Sequence, residues 1–269
     1  MIKIIHQMWI TPTGVAKDKE SISDEFIPFV ESVKRHHPDW KYMFWSDKDN
    51  EQLIRQHFPD MINIYNEFSL IQKSDLARYC VLYVYGGLYV DIDIYCNRSL
   101  EPLIHPNVIT LAPSPPLFPG KNTYTNYLMY SPPQQDFWIQ VLKNMKENIN
   151  KWYINTNQKV SSTTGNLLLS SVTKGKNIQI FDDKKIYNLF CPHDLNRLKK
   201  NKNIYAFHYG GTSRPYNNWS GGISRFFVLQ ECKLKKICGI RPNAYQLPIL
   251  SISIILVILI IAIVFILKR

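Results

Sequence analysis

The sequence predicts an α/β domain with a largely parallel sheet, followed by one C-terminal transmembrane helix. Segments with strand and helix patterns alternate from residue 3 to residue 95, which is typical of strand–helix–strand units in a parallel sheet. Residues 247–267 form an apolar run of 21 residues without a charged side chain. A helix of this length spans about 31 Å, which is enough to cross the hydrocarbon core of a bilayer.

The strands are predicted from short apolar or aromatic runs bounded by turn residues. They lie at residues 3–9, 40–45, 88–95, 108–112, 127–130 and 204–209. Gly86 and Gly87 precede the third of these runs. A glycine pair favours a tight turn, so we expect the chain to turn there into the strand.

The helices are predicted from capping residues and apolar periodicity. They lie at residues 28–37, 47–58, 73–85, 137–152 and 166–172. Pro28 suits the first turn of a helix, and Ser46 suits the position just before one. The helix at 73–85 is apolar nearly all round and is expected to be buried. The helix from residue 137 carries an apolar stripe that includes Trp152, so we expect Trp152 to face the core.

Composition predicts three segments along the chain. Residues 1–233 are expected to form one globular domain, residues 234–246 a basic juxtamembrane segment, and residues 247–267 the membrane span. Four basic residues precede the span and two follow it, namely Lys233, Lys235, Lys236 and Arg241, then Lys268 and Arg269. This bias, together with an N-terminus unlike a signal peptide, predicts a cytosolic domain. A domain on the luminal face of the Golgi or ER is the alternative.

The charge of the chain is strongly positive. The sequence has 32 Lys and Arg against 21 Asp and Glu, a net charge of +11. Such a charge suits an anionic membrane surface or a phosphorylated substrate, and it equally serves solubility. No basic run is interleaved with aromatic residues as in nucleic-acid-binding modules, so no nucleic-acid partner is expected.

Several common catalytic motifs are absent from the sequence. It contains no GxGxxG, no GxxxxGK[ST], no HExxH and no GxSxG. The most frequent NAD-binding, P-loop, zinc-protease and hydrolase interpretations are therefore excluded.

Two aspartates follow the third predicted strand. Asp91 and Asp93 are separated by one residue, and in a strand such residues point the same way. Two hard oxygen donors at the carboxyl end of a strand suit Mg²⁺ or Mn²⁺ bound together with a diphosphate. A purely structural role would leave two charges at the edge of the core, at a cost of several kcal/mol if unpaired.

A second pair of charged residues lies on the helix before that strand. Asp75 and Arg78 are three residues apart, so they share one face of the helix. A local ion pair is the simple interpretation and contributes only tenths of a kcal/mol. Because the helix is otherwise apolar, we expect a role in the site, with Asp75 binding sugar hydroxyls and Arg78 binding phosphate.

Three blocks of sequence, at residues 4–9, 73–79 and 85–93, resemble the DXD sugar-transferase family, glycosyltransferase family 32-like. Within that family the resemblance is closest to the inositol phosphorylceramide mannosyltransferase catalytic subunits and the initiating α-1,6-mannosyltransferases. Later blocks at residues 126–131 and 162–166 are also similar. The similarity runs from about residue 3 to residue 171 and then fades.

The resemblance implies a fold, a cofactor and a set of site residues. The fold is a GT-A-type, Rossmann-like, single nucleotide-sugar-binding domain, and the cofactor is Mn²⁺ or Mg²⁺. Asp93 and Asp91 are expected at the metal, with Asp91 towards the ribose or sugar, and His208 is proposed to complete the metal site. Asp75 and Arg78 are expected to bind the sugar and the diphosphate. The residues expected at the substrate are His6, Gln7, Trp9, Ser74, Asn126, Thr164, Gly165 and Trp219.

The function that the resemblance implies is a membrane-anchored, metal-dependent, retaining hexosyltransferase. It would move a hexose, mannose from GDP-mannose in the first instance, to a lipid-linked or sphingolipid acceptor, and a regulatory membrane subunit is an expected partner. A UDP-sugar donor with a protein or glycan acceptor is an alternative. Two other classes also stay open: a different metal–phosphate enzyme such as a nucleotidyltransferase, and a tail-anchored binding protein without activity.

Overall fold

The structure, a computed structural model, describes residues 1–9, 22–114, 123–153, 156–188 and 195–209. The expected juxtamembrane segment and membrane span, residues 234–267, lie outside this part of the chain. Among the described residues, no helix is both long and apolar enough to cross a membrane.

A six-stranded mixed sheet forms the centre of the α/β fold. Its strands are β1 Ile4–Met8, β2 Lys41–Trp45, β3 Gly87–Val90, β5 Ile109–Ser114, β6 Thr123–Ser131 and β7 Ile178–Ile180, in the order β2-β1-β3-β6-β5-β7. A second sheet of three strands contains β4 Ile94–Cys96, β8 Ile186–Asn188 and β9 Ala206–His208, in the order β4-β9-β8.

The expectation of a largely parallel sheet is wrong beyond β3. The strands β2, β1 and β3 are parallel, whereas β6 is antiparallel to both β3 and β5, and β7 is parallel to β5. The alternation that predicted parallel pairing ends at β3. Only eight residues, 115–122, separate β5 from β6, which is shorter than the dozen or so residues that a crossover between parallel strands needs.

The helices confirm most of the predicted elements. They are α1 Ile27–His36, α2 Asp47–His57, α3 Ile62–Glu67, α4 Leu70–Tyr85, α5 Asp136–Asn148, α6 Thr156–Thr163, α7 Asn166–Val172 and α8 Leu195–Lys200. Ser46 caps α2: its hydroxyl oxygen accepts from the backbone N–H of Asp49, and the carboxylate of Asp49 accepts from the backbone N–H of Ser46. The short elements α3, α6, α8, β7 and β8 were not predicted.

The expected extension of α5 to Trp152 is wrong. The helix ends at Asn148, and the N–H of Lys151 turns back to the carbonyl of Asn148 at 3.2 Å. Trp152 is consequently 84% exposed instead of facing the core.

The core lies on both faces of the central sheet because side chains alternate along each strand. Tyr89 and Met129 face the cluster built by α2, α4, α5 and α7, whose largest fully buried side chain is Trp138. Leu88 and Leu128 face the opposite side, where α1 and the small sheet cover them. Each fully buried large apolar side chain contributes roughly 1.5–3 kcal/mol.

The predicted strand at 88–95 is interrupted at its two aspartates. β3 ends at Val90, β4 begins at Ile94 in the other sheet, and the N–H of Ile94 donates to the carbonyl of Asp91 at 3.0 Å. Asp91 and Asp93 therefore lie in a tight turn at the corner between two sheets. We call residues 91–94 the DxD turn.

The glycine pair before β3 meets a steric requirement as well as a conformational one. Gly86 and Gly87 have φ values of +63° and +93°. A Cβ on Gly87 would lie 2.5 Å from the carbonyl oxygen of Ile4 in the neighbouring strand. Only glycine allows β3 to begin this close to β1.

Replacing Gly87 by alanine is expected to destabilise the fold far more than the matched change at Gly175. Gly175 also has a positive φ, +73°, but a Cβ there meets nothing within 4 Å. Gly175→Ala should cost about 1 kcal/mol from backbone strain alone, and Gly87→Ala about 3 kcal/mol or more because the backbone must also move. Denaturant unfolding of both variants measures this. Equal losses would show that contact with Ile4 is unimportant.

Candidate functional site

The DxD turn lies at the carboxyl edge of β3, where ligands of α/β sheets usually bind. Its backbone is held by three elements. The N–H of Asp91 donates to the carbonyl of Tyr127 on β6 at 2.8 Å, and the N–H of Tyr209 after β9 donates to the carbonyl of Asp93 at 3.0 Å. The side-chain amide of Gln7 on β1 donates to the carbonyl of Asp91 at 3.3 Å. The two carboxylates are thereby carried on a rigid support.

Asp91, Asp93 and His208 form a group with metal-ligand spacing. One potential ligand atom from each lies within 4.8 Å of the others. His208 is opposite Ile94 in the β4–β9 pairing, and its Nε2 is 3.2 Å from Oδ1 of Asp93. The ring of Tyr127 stacks on His208 at 4.4 Å and fixes its orientation.

The donor set of this group fits a divalent cation. Two carboxylates and an imidazole suit Mn²⁺ and other transition ions well, whereas Mg²⁺ prefers oxygen alone. Burial lowers the pKa of His208, but the charges of Asp93 and Asp91 outweigh it and raise that pKa overall. The same carboxylates that favour a proton on the imidazole would favour a metal ion beside it. Within the described residues, the structure thus brings together the three ligands proposed from the sequence.

Arg78 connects the DxD turn to the helix α4. Its Nη1 is 3.1 Å from Oδ1 of Asp91, and its Nη2 is 3.6 Å from Oδ1 of Asp75. The guanidinium also donates to the carbonyl of Asn126 at 2.9 Å and to Oγ of Ser74 at 2.7 Å. It lies over the ring of Tyr89 at 4.7 Å. Arg78 is therefore held between two carboxylates and an aromatic face, with little freedom to turn.

Asp75 joins three segments that are distant in the sequence. The amide of Asn126 on β6 donates to Oδ1 of Asp75 at 2.7 Å, and the hydroxyl of Thr164 after α6 donates to Oδ2 at 2.8 Å. Burial raises the pKa of Asp75, and Arg78, Thr164 and Asn126 offset part of that rise. A carboxylate has about four lone-pair positions, so these bonds leave it able to accept more.

Gly165 allows the chain after α6 to approach closely. It is buried at the start of α7, and a Cβ there would lie 3.2 Å from Cα of Ser161. The hydroxyl of Tyr79 donates to the carbonyl of the preceding Thr164 at 2.7 Å. These contacts keep the hydroxyl of Thr164 on Asp75.

His6 and Gln7, both predicted at the substrate, are fully buried beneath the site. The indole N–H of Trp45 donates to Nδ1 of His6 at 3.1 Å, so Nε2 carries the proton and donates to the carbonyl of Gly86 at 2.8 Å. The amide oxygen of Gln7 accepts from the hydroxyl of Tyr42 at 3.0 Å. Both side chains thus use their polar atoms on the protein, and Gln7 supports the DxD turn.

Two other predicted substrate residues have different surroundings. Trp9 is buried against Phe26, with ring centroids 5.5 Å apart. Trp219 lies outside the described residues.

The sequence reasoning missed Tyr89 and Tyr127. The hydroxyl of Tyr89 donates to Oδ1 of Asp91 at 2.6 Å, and its ring supports Arg78. Tyr89 lies on β3, two residues before Asp91 in the DxD turn. In the strand predicted at residues 88–95, residues two apart share a face, so the sequence did contain a signal for this contact. The contact of Tyr127 with His208 depends on the second sheet and had no local signal.

Residues 23–109 match a family model described as a glycosyltransferase sugar-binding region containing a DXD motif. This match, together with the relatives below, confirms the family resemblance seen in the sequence. The matched part includes the helix α4 and the DxD turn.

Two yeast proteins are among the similar curated sequences. A mannosyl phosphorylinositol ceramide synthase of Saccharomyces cerevisiae is 30% identical over 173 residues, which cover 64% of this chain and 42% of that protein. Inositol phosphoceramide mannosyltransferase 1 of Schizosaccharomyces pombe is 30% identical over 172 residues, covering 62% of this chain and 50% of that protein. The chain thus spans half or less of the length of these two relatives.

Among solved structures, the chain is similar to the PaToxG glycosyltransferase. That likeness has a TM-score of 0.48 at 18% sequence identity and covers 64% of this chain and 68% of the other.

The neutral state of His6 is expected to make the fold sensitive to acid. Burial lowers its pKa from 6.5 to about 4, so the unfolded chain binds a proton in a pH range where the folded chain does not. Stability is therefore present above pH 6.5 and falls as the pH drops from there towards 4. The loss attributable to His6 between pH 7 and pH 5 is about 2 kcal/mol.

Unfolding free energies of the wild type and His6→Asn across this pH range measure the effect. The variant should be less stable at neutral pH but should lose less stability on acidification. Parallel curves would contradict the assignment of a neutral, buried His6.

Proposed function

We propose that this chain, which carries a DXD-type glycosyltransferase region, is a metal-dependent, retaining hexosyltransferase of the GT-A type. The observation that carries the proposal is the convergence of Asp91, Asp93 and His208 at the carboxyl edge of β3. Arg78 extends that group to Asp75 on α4. This is a site for a nucleoside diphosphate and the sugar attached to it.

Asp91, Asp93 and His208 would hold the divalent ion, with Mn²⁺ favoured over Mg²⁺ by the imidazole. When bound, the ion supplies positive charge to the diphosphate of the donor. Full burial of the Asp93 carboxylate supports a ligand role, because a buried carboxylate needs positive charge nearby.

Arg78 would place a fixed positive charge beside the diphosphate of the donor. Its contacts with Asp91, Ser74 and the Asn126 carbonyl fix the plane of the guanidinium. A guanidinium held in place needs no reorganisation as negative charge develops on the leaving diphosphate. It therefore favours the transition state over the bound donor.

Asp75 receives the sugar. Asn126 and Thr164 donate to its two oxygens and hold it still, while its remaining lone pairs accept from sugar hydroxyls. A carboxylate bonded on both oxygens suits recognition more than covalent attack. We therefore assign same-face attack by the acceptor hydroxyl, in agreement with the retention implied by the family resemblance.

The donor and the acceptor are proposed from the relatives. The two yeast proteins are named for mannosyl transfer to inositol phosphoceramide or for the product of that transfer. We assign GDP-mannose as donor and a sphingolipid or other lipid-linked acceptor. The apolar run at residues 247–267 would anchor the domain, on its cytosolic side, to the membrane that holds this acceptor. A regulatory membrane subunit is a proposed partner.

Donor hydrolysis tests the assignment. The full chain in detergent micelles with Mn²⁺ should release GDP slowly from GDP-mannose, and Asp93→Asn should reduce the rate at least about 100-fold. Asp183→Asn changes an exposed carboxylate between β7 and β8 and serves as the matched control, with no expected effect. Thermal unfolding checks that both variants fold.

The other outcomes of that assay contradict parts of the proposal. Release from a UDP-sugar alone would overturn the mannosyl assignment and keep the transferase. Equal turnover of plain nucleotides would indicate a nucleotidyltransferase or phosphodiesterase. A folded protein that hydrolyses no donor, with Mn²⁺ present, would contradict the enzymatic function in the isolated chain.

Arg78→Lys is expected to reduce kcat about 100-fold with a smaller change in the KM for donor. Lysine keeps the charge but loses the planar fork that contacts Asp91 and Ser74 together. Arg55→Lys, at an exposed pair with Glu51, is the control and should match the wild type. Steady-state donor hydrolysis gives both constants, and an unchanged kcat in Arg78→Lys would remove the guanidinium from the mechanism.

A further inference from the structure

The loop after α5 exposes a tryptophan. Trp152 is 84% exposed, whereas the next most exposed large apolar side chain of the described residues, Ile27, is 45% exposed. Water solvates an indole ring poorly, and tryptophan prefers the boundary between water and lipid, where its ring is shielded and its N–H stays bonded. The exposed indole of Trp152 is therefore available to a partner surface of that kind.

The loop that carries Trp152 is braced on both sides. The backbone N–H and the Nζ of Lys151 donate to Asn148 at 3.2 and 2.6 Å. The hydroxyl of Tyr153 donates to the carbonyl of Asn148 at 2.7 Å. Both neighbours of Trp152 are thus tied to the end of α5, and the ring between them is directed outwards.

Trp152 belongs to the same edge of the molecule as the DxD turn. β6 is antiparallel to β3 and so begins where β3 ends, and α5 returns from the opposite edge. The amide of Asn148 donates to the carbonyl of Ser162 at 2.8 Å. Two residues later, Thr164 donates to Asp75. A short series of contacts therefore links the loop to the proposed sugar site.

The elements around Trp152 are basic. Residues 136–183, from the start of α5 to the segment after β7, contain six lysines and four acidic residues, Asp136, Glu147, Asp182 and Asp183. The lysines are Lys143, Lys146, Lys151, Lys159, Lys174 and Lys176. All are exposed except Lys146, which is half-buried and pairs with Asp60. Each lysine near an anionic leaflet contributes about 1 kcal/mol of attraction.

We infer that Lys151, Trp152 and Lys159 form a docking surface for an anionic lipid bilayer. The tryptophan would insert at the interface, and the lysines would contact acidic headgroups. Docking there turns the edge that carries the DxD turn towards the membrane. The consequence for catalysis, access to a lipid-borne acceptor, rests on the proposed function. The docking itself does not.

Brominated lipids test the docking directly. The full chain is reconstituted into vesicles of phosphatidylserine and phosphatidylcholine with brominated acyl chains, and its tryptophan fluorescence is compared with that in unbrominated vesicles. Trp9, Trp40, Trp45 and Trp138 are buried, and residues 247–267 contain no tryptophan. The difference in quenching between the wild type and Trp152→Phe therefore reports on Trp152 alone, because both proteins share the other tryptophans.

The wild type should be quenched more than Trp152→Phe, and the difference should fall at least twofold in pure phosphatidylcholine or in the Lys151→Glu, Lys159→Glu variant. Ile139→Ala, an exposed position near the start of α5, is the matched control and should be quenched like the wild type. Equal quenching of the wild type and Trp152→Phe in anionic vesicles would overturn the inference. So would a Trp152 signal that is shielded from water but not quenched by bromine, since that indicates a protein contact.

The two proposals fail separately. Quenching requires no turnover, and GDP release from GDP-mannose in detergent requires no docking, so Trp152→Phe should hydrolyse the donor at the wild-type rate. Quenching without hydrolysis would leave the docking surface and contradict the proposed function. Hydrolysis without quenching would support the proposed function and contradict the docking surface.

Discussion

Two carboxylates from different elements, Asp75 on α4 and Asp91 after β3, share the guanidinium of Arg78. All three groups are withdrawn from water to a large extent, which costs several kcal/mol per charge unless partners replace the solvent. Here the partners are supplied by Asn126, Ser74 and Tyr89. Helix α4, the DxD turn and β6 must therefore be correctly placed relative to one another before these charges can be buried.

The same constraint explains the rigidity of the proposed metal group. Asp91 is oriented by Arg78 and Tyr89, and His208 is brought to Asp93 by the β4–β9 pairing and held by stacking on Tyr127. His6 and Gln7 support this arrangement from below, through Gly86 and the carbonyl of Asp91. The charged residues of the site thus rest on neutral, buried side chains whose hydrogen bonds are internal. Thr164, which follows α6 and is fully buried, adds a hydrogen bond to Asp75.

Local patterns predicted the elements from β1 to β3 except α3, and they predicted the start of α5, because capping residues and apolar periodicity act within a few residues. They also led to Asp75, Arg78, Asp91 and Asp93, whereas His208 was proposed from the family resemblance alone. The antiparallel insertion of β6 and the break of the predicted strand at Asp91 were missed, since both depend on pairing with distant strands. His6 and Gln7 were expected to reach the substrate, and burial beneath the DxD turn is a tertiary property that their local sequence does not encode.

Asp91, Asp93 and His208, whose potential ligand atoms lie within 4.8 Å of one another, are proposed to hold one divalent cation together. Pulsed electron paramagnetic resonance of Mn²⁺ bound to the full chain with GDP tests it most directly, because imidazole nitrogen coupled to the ion is visible without turnover. We expect a nitrogen signal that is lost in His208→Gln while Mn²⁺ still binds, and greatly weakened Mn²⁺ binding in Asp93→Asn. Tight Mn²⁺ binding without nitrogen coupling, or binding unaffected by Asp93→Asn, would contradict it.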